Sequence, residues 1–96
     1  MSELDRIKEI IKKNEAILRG QYHICSLSVF GSVARGEETT GSDIDLLVEF
    51  SEPVGFGFFR ASRYLEEITG RKVDLVTGDA LRPSVAASAE KELIYA

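Results

Sequence analysis

Apolar residues recur at helical spacing from the start of the chain: Leu4, Ile7, Ile11 and Leu18, with Ile10 and Ile17 beside them. The pattern predicts a helix over about residues 2–19, opened by Ser2 and Asp5 and stopped by Gly20. The period then shortens to two. The run HICSLSVF, residues 23–30, reads as a strand with Cys25, Leu27 and Val29 on one face. Ile24, Ser26, Ser28 and Phe30 take the other. A Gly31-Ser32 pair, a short VARG stretch and the polar turn EETTGS separate it from a second strand, IDLLVEF, at about 43–50. The segment SEPVGFG is rich in breakers. A helix is predicted over 57–69, with Phe58, Ala61, Leu65 and Ile68 on its apolar face and Gly70 ending it. KVDLVT, residues 72–77, reads as a third strand. The tail predicts a short helix at about 83–91 with Pro83 in its first turn. The closing LIYA is apolar enough to pack back on the body.

This order predicts an α+β fold (mixed α/β): a small mixed sheet with helices mainly on one face. The link between the first two strands is too short for a full crossover helix, so they are expected to pair as neighbours. Ninety-six residues make one domain, residues 1–96. Such a chain buries about 60–65% of its unfolded surface, which leaves little for a separate substrate-binding lobe. With 44% apolar and 29% charged residues, the composition is that of an ordinary soluble protein. No apolar run approaches the roughly 20 residues of a membrane span. The charged start MSELDRIKEI does not read as a secretory signal. With Cys25 as the single cysteine, a cytoplasmic setting is expected. A net charge of −4 argues against direct nucleic-acid binding, though not against a phosphate substrate held through metal ions. The apolar tail and the aromatic loop permit a homo-oligomer without requiring one.

The candidate chemistry is acidic. Asp43 and Asp45 stand two apart, so a strand projects both to one face, while Ile44, Leu46, Val48 and Phe50 face the core. Two adjacent acids repel unless a cation lies between them, and magnesium, a hard ion that prefers oxygen, suits the pair. Asp74 is a third acid between Val73 and Leu75. If its strand lies beside the second, it reaches the pair, and two metals could share the three carboxylates and clamp an in-line phosphoryl displacement. Gly31 and Ser32, at the end of a strand, offer backbone N–H groups, close approach and a hydroxyl to phosphate. Arg35 binds polyphosphate or pairs with an acid of the Glu37–Glu38 turn; the sequence leaves both open.

These residues carry a family resemblance. GSVARGEETTGSDIDLLV is similar to the nucleotidyltransferase pattern of Gly-Ser, ten residues and Asp-x-Asp. Nearly the whole chain, including KVDLVTGDAL, resembles the minimal nucleotidyltransferases, part of the DNA polymerase beta-like superfamily. The resemblance implies Gly31 and Ser32 as phosphate binders, Asp43 and Asp45 as metal ligands, and Asp74 as a further ligand or general base. It also implies ATP and magnesium, and a helical HEPN-type toxin partner. In that setting the protein is an antitoxin that moves AMP onto a tyrosine of the partner.

A second expectation is a binding module that neutralises its partner by contact alone, through the apolar stretch Val54–Phe59. Transfer to a small molecule or to an RNA end is a third, disfavoured by the acidic balance and the missing second domain. Plainer roles stand beside these. Asp43 could cap a turn, Asp74 could pair with Lys72 or Arg71, and Ser32 could cap a helix. At least one of Phe56, Phe58 and Phe59 is expected in the core. Cys25 is expected to be buried, His23 to be no ligand, and Arg60 and Arg63 to lie on a solvated helix face.

Overall fold

The structure is a computed structural model and describes residues 2–31, 33, 36, 43–77 and 91–96. Among these residues, three helices and four strands run in the order α1 (Glu3–Lys13), α2 (Glu15–Gln21), β1 (Ile24–Phe30), β2 (Ile44–Phe50), α3 (Gly57–Thr69), β3 (Val73–Thr77) and β4 (Lys91–Tyr95). The sheet order is β3-β2-β1-β4. β1 pairs antiparallel with both β2 and β4, while β2 and β3 run parallel, joined through α3. The predicted α+β class and the pairing of the first two strands are what the structure has.

The expected first helix is two helices. Asn14 ends α1 and begins α2: its N–H donates to the Ile11 carbonyl, and its Nδ2 donates to the Ile10 carbonyl at 2.8 Å. A side chain that competes for backbone groups disfavours an uninterrupted helix. The Tyr64 hydroxyl of α3 donates to Asn14 Oδ1 at 2.8 Å, so the break also docks the two helices together. Gly20 lies inside α2 and is not its stop. Ser2 caps α1 as expected, accepting from the Asp5 N–H. α3 has the predicted bounds and ends on Gly70 in the left-handed conformation (φ 69°), whose N–H returns to the Glu66 carbonyl.

One face of the sheet carries the core. Ile7, Ile11, Leu18, Ala61 and Leu65 from the helices meet Leu27, Val29, Ile44, Leu46, Val48, Val73 and Leu75 from the strands. In β2 the alternation holds throughout. In β1 it does not: the register slips by one residue between Ile24 and Ser26, leaving Cys25 as the extra residue of a bulge. Ile24 therefore joins the buried row, and Cys25 is only half-buried, its Sγ donating to the Glu49 carbonyl. A second slip, opposite Leu27 and Ser28, turns both Ile94 and Tyr95 of β4 inward. The closing apolar residues thus pack back by joining the sheet as a strand. Lys91, placed at the end of a tail helix by the sequence pattern, opens that strand, and the rest of the predicted helix over 83–91 lies outside the described residues.

Glu3 ties the layers together at one corner. It accepts from Arg71 at 2.7 Å and from Arg6, and Arg6 also donates to the Thr69 carbonyl. Burial works against the Glu3 charge, but the hydrogen bonds and charges of Arg6 and Arg71 outweigh it and hold the carboxyl below its ordinary value of 4.5. A lowered pKa means stability that is present above pH 4.5 and lost as pH falls through the folded value. Replacing Glu3 by Gln should therefore lower Tm at neutral pH and flatten its decline below pH 4.5, read by thermal unfolding across a pH series. Leu46→Ala, at a fully buried position in a central strand, should cost about 3 kcal/mol in urea unfolding.

Candidate active site

The three predicted acids sit at one end of the sheet, and the pairing of the strands brings two of them together. Asp45 and Asp74 are directly opposite in the parallel β2–β3 ladder, on the face away from the helices. Their backbones are one strand spacing apart, about 4.8 Å. Asp43 lies two residues before Asp45, exposed, just ahead of β2. The Ile44 N–H beside it donates to the Lys72 carbonyl at 2.9 Å, so this end of the strand is held in the ladder. Asp74 is exposed, and among the described residues its carboxylate makes no ion pair. Arg71, offered by the sequence as its counter-ion, bonds to Glu3.

Phe30 is the other neighbour of Asp45, across β1. Gly31 follows it with φ 73°. A Cβ added at Gly31 would overlap the Asp45 carboxylate oxygen and lie 3.1 Å from its Cγ. The bend therefore takes glycine for two reasons: its left-handed backbone, and a carboxylate resting where a side chain would be. Val33 is buried, and its carbonyl accepts from the Gly36 N–H at 3.1 Å, which closes the turn after the bend. Ser32 and Arg35 lie outside the described residues. The spacing of the motif gave no hint of the Gly31–Asp45 contact, which appears only once β1 and β2 are in register.

The donor set suits a hard divalent ion that completes its shell with phosphate and water. Among the described residues, no three His, Cys, Asp or Glu side chains gather into a ready-made cage. A hollow of about 550 Å³, between Tyr22, His23, Glu52, Val54, Phe56 and Arg60, lies at the other end of β2 and includes none of the trio. His23 there pairs with Glu52 at 3.2 Å. Phe58 packs against the core, as expected for one of the three phenylalanines, while Phe56 is 84% and Phe59 63% exposed. Arg60 and Arg63 are exposed on α3. No helix among the described residues is long and apolar enough to cross a membrane.

A mixed sheet with acids at the end of a central strand, abutting a glycine bend, defines a nucleotidyltransferase fold. The chain belongs to the nucleotidyltransferase domain family, whose model matches residues 4–96, and it is an enzyme of the minimal nucleotidyltransferase kind. A relative from Methanocaldococcus jannaschii, provisionally named a protein adenylyltransferase, is 46% identical over 99% of each chain. The protein adenylyltransferase MntA of Thermococcus cleftensis is 35% identical over 99% of this chain and 97% of that one. Among solved structures, a protein provisionally described as a minimal nucleotidyltransferase has a TM-score of 0.68 at 33% identity, covering 91% of this chain and 88% of that one. A toxin–antitoxin complex with AMP-PNP shares the fold at 18% identity, with a TM-score of 0.65 over 96% of this chain and 72% of its own.

Gly31→Ala should destabilise the protein by about 1–3 kcal/mol, through the left-handed backbone and the displaced carboxylate together. Gly36→Ala has the same backbone conformation (φ 70°) but open space around it, and should cost about 1 kcal/mol. The difference between the two, read by denaturant unfolding, isolates the contact with Asp45.

Proposed function

We propose that the protein transfers AMP from ATP to a tyrosine hydroxyl of a protein partner, a helical HEPN-type toxin, and so acts as its antitoxin in the cytoplasm. The observation that carries the reading is the Asp45–Asp74 pair on one rung, with Asp45 seated on Gly31. The names of the relatives support the adenylyl group and the protein acceptor. A complex of a tri-AMPylated HEPN toxin with an MNT antitoxin, similar in fold, fits the same reading.

In the step proposed, the acceptor oxygen attacks the α-phosphorus of ATP. A new P–O bond forms, the bond to the bridging oxygen breaks, and pyrophosphate leaves with that electron pair in line with the attack. The hydroxyl proton passes to Asp74 or to solvent. Asp43, Asp45 and Asp74 would hold magnesium, two ions in the fullest arrangement, which when bound neutralises phosphate charge and lowers the hydroxyl's pKa. Gly31 and Ser32 would receive the phosphates by backbone N–H groups and hydroxyl, with Arg35 as a further phosphate contact. The chain's own contribution is position: the strands fix where the two reactants meet.

Incubation with Mg-ATP and the partner should add AMP mass to the partner. Asp45→Asn should lower the transfer by about a hundred- to a thousandfold, the loss expected when a charge-stabilising group is removed from such a site. Chelation of divalent ions should abolish it in the wild type, and restored magnesium should return it. The exposed Phe56 and Phe59 favour a second reading, neutralisation by contact alone. An Asp43→Asn/Asp45→Asn variant that still silences the toxin completely would decide for that alternative.

A further inference from the structure

One rung beyond the acids, on the same face of the sheet, Val76, Leu47, Ser28 and Leu93 stand in line across β3, β2, β1 and β4. Ser28 is buried at the floor of this row, while Leu93 is 55% exposed. Ser26, Ser28, Leu47, Glu49 and Leu93 line a hollow of about 330 Å³. The small serine between two leucines makes a trough over β1 whose near end is the row next to Phe30 and Asp45, while Ser26 and Glu49 carry it on away from the acids. Two residues along a strand separate the rows, about 7 Å.

Resting on the reading of transfer to a protein hydroxyl, we infer that this trough seats the acceptor side chain, and that Leu47 and Leu93 select an aromatic alcohol. The direction of attack supports it. Gly31 lies where β1 leaves the sheet, so phosphates held there put the leaving pyrophosphate beyond the sheet's end. An in-line nucleophile must then approach from the opposite side, over the sheet face. Past Phe30, the first hollow on that side is the Ser28 trough. A phenol lying between the leucines spans the distance from this row to the acids. A serine or threonine hydroxyl, one carbon from its backbone, does not. The leucine walls offer apolar contact to a ring. Charge points the same way: Glu49 at the far end of the hollow, and Asp45 and Asp74 one row from its near end, are acidic groups that favour an acceptor segment with basic flanks over a second anion.

Methyl-labelled protein titrated with N-acetyl-tyrosinamide, N-acetyl-serinamide or Mg-ATP tests this by NMR. The Leu47 and Leu93 methyl resonances should shift with the tyrosine probe and not with the serine probe. Leu93→Glu, a change at an exposed position, should weaken the tyrosine probe by about tenfold or more and leave Mg-ATP affinity unchanged. Shifts of these methyls on adding Mg-ATP alone would make the trough the seat of the nucleobase and overturn the inference. So would an unresponsive pair of leucines at saturating tyrosine probe. If the shifts appear but wild-type protein transfers no AMP to its partner, the transfer reading falls and the trough stands as a binding site.

Discussion

Two carboxylates on one rung of a parallel strand pair repel each other, and the fold is arranged so that they cannot move apart. Like charges directly opposite in a sheet cost stability on the scale of a cross-strand pair, roughly 0.2–1 kcal/mol. The reverse side of the same two strands carries Ile44, Leu46, Val73 and Leu75, all buried. Each such side chain contributes about 1.5–3 kcal/mol when taken out of water. The core therefore sets the register, and Asp45 and Asp74 accept the consequence. Separation along the strand would turn the buried row to solvent, because a slip of one residue exchanges the two faces. Gly31 closes the remaining route by occupying the side of Asp45 that faces away from Asp74.

Much of this was legible in the sequence, for identifiable reasons. The period of two in IDLLVEF holds without a break, so the common face of Asp43 and Asp45 followed from spacing alone. α3 was legible end to end because its apolar face is regular and Gly70 supplies a stop. What escaped depends on partners far along the chain. The break at Asn14 is fixed partly by Tyr64, fifty residues away. The bulge at Cys25 leaves no trace in an alternating string, and it exchanged the expected places of Ile24 and Cys25. β4 was missed as a strand because LIYA shows no period, and its residues gain their meaning only opposite Leu27 and Ser28. The family resemblance named the acids and the Gly-Ser bend. That Asp45 and Asp74 share a rung was beyond both, since their register depends on how α3 returns the chain to the sheet.

The two functional readings occupy opposite ends of β2. The acids stand where the strand begins, and the exposed phenylalanines follow the loop where it ends, about 20 Å away for seven residues of strand. Docking and chemistry can thus be separate surfaces on a very small protein. A partner held at the aromatic end would have to reach along the open sheet face to present a hydroxyl to the acids. The Ser28 trough lies on that path.

The two register slips, at Cys25 in β1 and at Ile94 in β4, both fall away from the acid rung. A bulge bends its strand and increases the local twist. Between them and Phe30 the ladders run uninterrupted. The sheet is thus regular at the margin that carries the acids and bulged at the other. The added twist falls where no carboxylate spacing depends on it, and the margin that must hold a fixed gauge keeps an unbroken ladder.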